Sequence, residues 1–479
     1  MANKKLSWLT KLSFGVGAFG KDAMYAIVGT YLMMYLTDFR SVAPAFVGAL
    51  FMVARLWDAF NDPFMGMIVD NTKTKWGKFR PWILIGTLLN ALVLVFLFSN
   101  IGLTGNKYLV WCSVFYILWG MTYTIMDIPY WSLVPALTED ENERSQVSAI
   151  PRIFASAAWL VVNSAGMVLV GIFGSGNNLK GFSILAIIIS IVFIVTEIIT
   201  CIFCKEQVVV EKKEKTTIKD MVKVLFKNDQ VKIVLGIALF FNIAYQLSNS
   251  FALYYFKYVA ERSFDSTDGV LYPVYAAVAG IAQMASMAIL PILSKKIGKK
   301  ISFLMACFLP VLGFVLLWIL GYVAPKNAVL VGICSAIINA GIGFMLVFIT
   351  VFLSEVVDYG EYKFGTRNES VLFSMQTFVV KLAGAFSAFV SGIGLQLIGY
   401  VANQAQSTAT ENGMRIIMFL IPAILSALCF LIYIFGYKLT PKFYKEVKET
   451  IALNREKTLN ENNAETENVE AVEAVEVNE

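Results

Sequence analysis

Apolar stretches of about 20 residues or more, separated by short polar segments, follow one another along the chain until about residue 437. A membrane-spanning α-helix needs roughly 20 consecutive apolar residues, because the hydrocarbon core of a bilayer is about 30 Å thick. The pattern therefore predicts about twelve transmembrane helices. The predicted spans are 12–36, 44–69, 81–99, 108–135, 149–173, 182–204, 232–258, 268–293, 301–322, 328–356, 369–399 and 414–437.

The longest polar segment between predicted spans, at about 205–231, separates six spans from six. Basic, glycine-containing loops follow both the second span (WGKFR, 76–80) and the eighth (KKIGKK, 295–300). Matching loops at equivalent positions favour a duplicated architecture with a substrate site between the halves, although ordinary basic cytoplasmic loops would look the same. The predicted domains are an N-terminal six-helix bundle (1–204), a central loop (205–231), a C-terminal six-helix bundle (232–437) and an acidic tail (438–479), which we expect to be disordered from about 460.

Composition agrees with the membrane assignment, since 58% of the residues are hydrophobic and only 15% are charged. Lysine and arginine concentrate in alternate loops, so the positive-inside rule predicts a multi-pass protein of the cell membrane with both termini in the cytoplasm. The net charge of +5 then reflects topology, and the lipid bilayer, not nucleic acid, is the expected macromolecular environment. The sequence identifies no regulatory partner at the cytoplasmic face.

Histidine is absent from the chain, which excludes histidine-based acid–base relays and histidine metal ligands. The six cysteines fall in apolar stretches, where thiols pack as small hydrophobic groups. Without a nucleophile and base pair, an enzyme is not expected, and neither is an organic cofactor.

Charged residues inside predicted spans are the strongest functional signal, because each costs about 2.5–3.5 kcal/mol to insert. Seven of the eight lie in the first half of the chain, and the set is Lys21, Asp22, Arg55, Asp58, Asp62, Asp127, Arg152 and Lys381. Internal ion pairs, such as Arg55 with Asp58 or Asp62, are the structural alternative to a binding site. Two further groups, Glu197 and the Glu355–Asp358 pair, are interpreted as helix-packing or gate ion pairs.

The second predicted span places Asp58 and Asp62 at i and i+4 on one helix face, with Asn61 beside them. Two carboxylates and an amide oxygen can replace the hydration shell of a small hard cation. Like charges this close can also share a proton, so sodium and proton are competing occupants. In the first half, four aspartates (−4) face Lys21, Arg55 and Arg152 (+3), which fits one coupled monovalent cation and a neutral substrate.

The fourth predicted span places Tyr123, Asp127 and Trp131 at i, i+4 and i+8, so they share a face. A carboxylate flanked by aromatic rings suits a neutral sugar, whose hydroxyls donate to the carboxylate while its C–H face lies on an indole. Thr124, about 60° away on the same helix, could offer a hydroxyl to the cation site. This face therefore predicts sugar binding.

Several longer motifs resemble one known family. They are GAFGKD (17–22), VARLWDAFNDPFMG (53–66), WGKFRPWILIGT (76–87), ILWGMTYTIMDIP (117–129), VDYGE (357–361) and QTFVVK (376–381). From about residue 11 to 437 the chain resembles the glycoside-pentoside-hexuronide:cation symporters of the major facilitator superfamily. The resemblance implies an all-α integral membrane protein with about twelve helices in two pseudo-symmetric six-helix bundles.

The resemblance also implies ligand roles for the matching positions. It assigns the galactosyl group to Asp22, Asp127, Trp131 and Arg152, with Lys21, Gln376 and Thr377 nearby, and it places Lys381 close to both sites. It assigns sodium, lithium or a proton to Asp58 and Asp62, with Asn61 and Thr124 contributing to cation choice. Asn61 and Gly120 accompany sodium coupling in the family, which favours sodium.

The function implied is a secondary active symporter that couples inward sodium, lithium or proton movement to uptake of melibiose or a related α-galactoside by alternating access. Leu346 falls where the family has a tryptophan facing the sugar, so selectivity for the group attached to the galactosyl ring is left open. The alternatives are a proton-coupled carrier of another glycoside (a β-galactoside or pentoside) and a lipid-moving member of the same superfamily.

Overall fold

The computed structural model describes residues 6–138, 141–206, 228–262, 269–365 and 369–454, and within these residues the regular structure is entirely helical. Each predicted span corresponds to one long helix. The helices are α1 (Trp8–Met34), α2 (Pro44–Asp70), α3 (Arg80–Leu97), α4 (Gly105–Leu137), α5 (Glu141–Gly174), α6 (Asn178–Phe203), α7 (Asp229–Glu261), α8 (Leu271–Ile297), α9 (Lys299–Val323), α10 (Ala328–Phe364), α11 (Glu369–Leu397) and α12 (Thr408–Gly436). A further helix, α13, covers 441–454.

Ten helices among the described residues, α3 to α12, are long and apolar enough to cross a membrane. The other two, α1 and α2, each have 27 residues but carry charged residues within the span, which lowers their mean hydropathy. Three helices contain a π-helical turn: Tyr35–Phe39 extends α1, Tyr255–Glu261 ends α7, and Ile416–Leu420 lies within α12.

Side-chain caps fix several helix starts. The hydroxyl oxygens of Ser7 and Ser407 accept the N–H groups of Thr10 and Thr410, and Asn327 caps α10 in the same way. The helices also extend beyond the apolar windows, as α5 begins at Glu141 rather than at about residue 149. The predicted boundary was wrong there because polar residues outside the bilayer continue the helical hydrogen bonding without adding hydrophobicity.

The helices pack mainly within each half of the chain. In the first half, α1 packs on α5 and α6, and α3 packs on α4 and α6; in the second, α10 packs on α8 and α9, and α12 packs on α7. The largest contacts between the halves, among the described residues, are α2 with α11 and α5 with α8. The first is so close that a Cβ atom on Gly48 would lie 2.9 Å from the Cα of Gly392. The predicted domain boundaries remain predictions, because 207–227 and 455–479 lie outside the described residues.

Candidate functional site

Lys21, near the middle of α1, is the centre of a buried ionic cluster. Its ammonium lies 2.8 Å from Oδ1 of Asp127 on α4 and 3.2 Å from Oδ2 of Asp22, and it donates to the Tyr123 hydroxyl at 3.4 Å. The Lys21 side chain is only 4% exposed, whereas Asp22 and Asp127 remain 17% and 29% exposed. The lysine is therefore enclosed while the two carboxylates retain accessible oxygen atoms that can accept hydroxyl groups.

Aromatic rings surround this cluster, as the i, i+4, i+8 spacing on α4 predicts. The Lys21 ammonium lies 5.0 Å from the ring centre of Trp131, 5.3 Å from that of Tyr130 and 5.8 Å from that of Tyr123. These distances are within the range of cation–π attraction. The cluster thus offers carboxylate acceptors, an ammonium donor and an indole face, which are the groups a sugar needs.

Two aromatic residues of this region were not predicted. Trp159 on α5 donates its indole N–H to Oδ1 of Asp22 at 3.2 Å. Tyr25 on α1 lies 5.1 Å from Tyr123 and 6.1 Å from Trp159, measured between ring centres. The signal for Tyr25 was available, since it follows Lys21 by four residues and so lies on the same helix face.

The predicted cation site forms between α2, α4 and α11. The Thr124 hydroxyl donates to Oδ1 of Asp62 at 3.1 Å, and the ammonium of Lys381 pairs with Oδ2 of the same carboxylate. Asn61 is half-buried beside Asp62. The structure therefore brings Thr124 to Asp62, one helical turn from Asp58, and pairs Asp62 with Lys381, which the resemblance places close to both sites.

Asp58 lies against α4 at Gly120, where an added side chain would displace the Asp58 carboxylate. A Cβ atom on Gly120 would approach Oδ1 of Asp58 to 2.6 Å. On the other side, Oδ2 of Asp58 faces the Arg55 guanidinium at 3.9 Å, and that guanidinium lies 5.1 Å from the ring centre of Tyr25. The Tyr25 ring contacts Arg55, beside the predicted cation site, and Tyr123, in the predicted sugar site. One ring therefore connects the two predicted sites.

Three other predicted sugar-site residues lie on α5 and α11. The Arg152 side chain is exposed and makes no hydrogen bond or ion pair with the described part of the chain. Arg152 lies two helical turns before Trp159 on the same face of α5, and its role in the sugar site stays a prediction. Gln376 is half-buried and Thr377 exposed on α11, Thr377 one turn before Lys381.

Within the described residues, Lys381 from the second half of the chain is ion-paired with a carboxylate of the combined site. Four carboxylates (Asp22, Asp58, Asp62 and Asp127, −4) face three cations (Lys21, Arg55 and Lys381, +3). These ion-paired groups together carry a net charge of −1, and the balance predicted with Arg152 stays a prediction.

Of the acidic groups predicted to form ion pairs outside the site, Glu355 and Asp358 have partners among the described residues and Glu197 has none. Glu355 on α10 pairs with Lys299 and accepts a hydrogen bond from Tyr437, and Asp358 accepts one from Tyr444 at 2.6 Å, so these groups join elements of the second half. The interpretation of Glu197 as an ion pair was wrong. It is fully buried on α6, and neither carboxyl oxygen has a hydrogen-bond partner among the described residues.

A second buried ionic group, the Asp38 cluster, closes one end of the molecule. We define it as Asp38, Lys257, Tyr258, Tyr400 and Asn403. The fully buried Asp38 carboxylate lies 3.0 Å from the Lys257 ammonium and accepts hydrogen bonds from the hydroxyl groups of Tyr258 and Tyr400. Asn403 donates to the Asp38 carbonyl. Because Asp38 follows α1 and its partners belong to the second half, the cluster ties the two halves together at that end.

Solved transporters share this fold. The chain aligns with a mutant form of the nucleoside transporter NupG at a TM-score of 0.64 and 15% identity, covering 90% of this chain and 100% of that one. It aligns with a bacterial homologue of the human lysosomal transporter Spinster at a TM-score of 0.65 and 12% identity, covering 89% and 95%. The fold and the charged central site define a membrane transporter of the major facilitator type.

The family is shown by sequence. Residues 13–441 match the model of the family described as "MFS/sugar transport protein", and the chain belongs to that family. It is 30% identical to the uncharacterized symporter YjmB of Bacillus subtilis (94% of this chain, 96% of the relative) and 30% identical to the isoprimeverose transporter of Lactiplantibacillus pentosus (92% and 91%). It is 29% identical to the lactose permease of Leuconostoc lactis (94% and 72%). The protein is thus a multi-pass sugar symporter, not an enzyme.

Proposed function

We propose that this symporter takes up melibiose or a related α-galactoside together with sodium, by alternating access. The observation that carries the proposal is the net charge of −1 on a site that joins a sugar-binding face to a pair of carboxylates. A neutral sugar leaves that charge unchanged, so one monovalent cation completes the balance. The close resemblance of the quoted motifs to the bacterial melibiose carrier supports the choice of sugar.

In the sugar site, each group has a distinct task. Hydroxyl groups of the sugar donate to the carboxylates of Asp22 and Asp127, and Lys21 holds both carboxylates in place. The apolar C–H face of the ring packs on the Trp131 indole. Leu346, on α10 in the second half, has neither a ring nor a polar side-chain group, so selectivity for the group attached to the galactosyl ring is left open.

In the cation site, sodium competes with the ammonium of Lys381. Carboxylate oxygens of Asp58 and Asp62, the Thr124 hydroxyl and the Asn61 amide are oxygen ligands suited to a small hard cation. Sodium on Asp62 releases Lys381 from that carboxylate while Lys381 stays within the combined site, so the net charge of the site changes from −1 to 0. Cation and sugar should therefore raise each other's affinity by the same factor.

The experiment is a binding titration of melibiose to the purified protein in sodium chloride and in choline chloride. We expect tighter binding in sodium, and the Asp58→Cys variant should lose the sodium effect while it retains some sugar binding. Equal affinity in the two salts would overturn the coupling scheme. Loss of sugar binding alone in the variant would move Asp58 from the cation site to the sugar site.

A proton-coupled carrier of another glycoside is the second candidate, because relatives are named for isoprimeverose and lactose. Uptake into membrane vesicles, driven either by a sodium gradient or by a pH gradient, separates the two candidates. A competing panel of α-galactosides, β-galactosides and pentosides then identifies the sugar. Binding of lysolipid without binding of any sugar would contradict both.

The orientation in the membrane follows from the loop charges. We infer that the N-terminus, the segment after α2 and the segment after α8 face the cytoplasm, because Lys73, Lys78, Arg80, Lys295 and Lys296 lie there. The Asp38 cluster then lies at the opposite, outer end. With that end tied shut, the site is expected to open toward the cytoplasm in this conformation.

A further inference from the structure

Trp159 on α5 lies beside the sugar site. Within the described residues, its hydrogen bond is the one that α5 makes to the cluster around Lys21. Trp159 is half-buried on α5 and packs against α1 at Gly29, where an added Cβ atom would lie 3.2 Å from the indole ring. From there its N–H reaches Oδ1 of Asp22 at 3.2 Å. The indole is therefore held by packing on α1 and aimed at one carboxylate oxygen.

The two oxygen atoms of Asp22 have different surroundings. Oδ1 accepts the Trp159 N–H, whereas Oδ2 faces the Lys21 ammonium at 3.2 Å without accepting a hydrogen bond from any described residue. Oδ2 is also shielded from solvent. A buried carboxylate oxygen without a donor is costly and uncommon in proteins, so a donor from a ligand would be favourable here.

We propose that Trp159 is a specificity-determining positioning residue, which holds Oδ1 of Asp22 so that Oδ2 accepts one particular hydroxyl of the sugar. The proposal rests on the proposed function, in which Asp22 binds sugar. A carboxylate free to rotate about its Cβ–Cγ bond would present its oxygen atoms in several directions. With Oδ1 fixed by the indole, Oδ2 has one direction, and a hydroxyl in the wrong configuration meets no acceptor.

The test uses Trp159→Phe, which retains an aromatic ring but removes the donor. We expect sugar affinity to fall by about tenfold, since hydrogen bonds to charged groups are among the stronger ones in proteins. KM should rise with little change in maximal rate, because the interaction orients the bound sugar. Trp159→His, whose ring retains an N–H donor, should recover part of the affinity. Sodium affinity measured without sugar should not change.

A matched control is Trp82→Phe. The Trp82 indole also donates a hydrogen bond, to the Thr72 hydroxyl at 2.7 Å, but it lies at the start of α3 beside the end of α2. The variant should bind sugar normally. If Trp82→Phe weakens binding as much as Trp159→Phe, the effect comes from general destabilisation and the proposal is refuted.

A set of monodeoxy sugars tests the assignment to one hydroxyl. The affinity ratio between wild type and Trp159→Phe should fall to about one for the analogue that lacks the hydroxyl accepted by Asp22, and stay near tenfold for the others. The same ratio for every analogue would mean that Trp159 only packs, which overturns the proposal. A wild-type protein that binds no sugar would instead contradict the proposed function, so the two failures are distinguishable.

Discussion

Removing the Asp38 carboxylate should release the end of the molecule that the Asp38 cluster holds shut. In Asp38→Ala, the Lys257 ammonium stays buried without its partner for as long as that end is closed. Breaking a buried ion pair by deleting one partner costs about 3–5 kcal/mol. If opening exposes Lys257 to water, the open conformer is spared this cost.

The size of the shift toward the open conformer follows from this difference in free energy between the closed and open conformers. At 1.4 kcal/mol for each factor of ten, a penalty of about 3 kcal/mol on the closed conformer changes the ratio of open to closed molecules by about 100-fold. The lost hydrogen bonds from Tyr258 and Tyr400 act in the same direction. A conformer that is rare in the wild type would become the main population.

The assay is the distance between spin labels at Ser41→Cys and Gln404→Cys, which are exposed positions on opposite sides of the cluster. The six native cysteines are buried, so labelling should be confined to the introduced pair. We expect a longer distance to dominate in Asp38→Ala. The control is Asp229→Ala, which breaks ion pairs to Lys363 and Lys438 within the second half and should leave the distance unchanged.

Stability must be separated from conformation in this experiment. Lys257→Met removes the charge that Asp38→Ala leaves unpaired, so the double variant should be better folded than Asp38→Ala alone while the halves still lack their ionic connection. A folded Asp38→Ala protein with the wild-type distance distribution would refute the reasoning. It would show that packing between α2 and α11, not the Asp38 cluster, keeps this end closed.

Two further predictions concern single positions inside the membrane. Glu197→Met should raise the melting temperature of the purified protein or leave it unchanged, because it replaces a buried carboxyl without hydrogen-bond partners among the described residues; a large decrease would mean that Glu197 has a partner. Gly120→Ala should weaken sodium binding by about tenfold while sugar binding without sodium is retained, since the added methyl group displaces the Asp58 carboxylate. Gly236→Ala, where nothing lies within 4 Å of the added atom, is its control, and equal effects of the two would contradict the second prediction.

Features set by the geometry of a single helix could be predicted from the sequence. The i, i+3 spacing of Arg55 and Asp58 does place them in contact, and the rings on the face of Asp127 do surround Lys21. The positions of the helices were also predictable, because the bilayer imposes their length and apolar character. In these cases the helical period alone determines which side chains are neighbours.

Contacts between helices could not be derived in this way. The Lys381–Asp62 pair depends on how α11 packs against α2, and the Trp159–Asp22 hydrogen bond depends on the position of α5 relative to α1. The place of Arg152 relative to the site depends on the same packing of α5, so its role in sugar binding stays a prediction. The Asp38 cluster was missed because its members lie at span ends, where charge is expected and is normally solvated.

The two ionic connections between the halves differ in a way that suits alternating access. At the Asp38 cluster, both charges are buried and no proposed ligand competes for them, so that connection breaks only when the outer end opens. At the site, the Lys381–Asp62 pair involves a carboxylate that sodium would also bind, so a ligand can break it without any prior movement. Sodium entry would therefore free α11 from α2 at the centre of the molecule while the Asp38 cluster still holds the outer end. In this scheme sodium first breaks the Lys381–Asp62 pair between the halves. The sugar then binds to a site whose charge and geometry sodium has already determined.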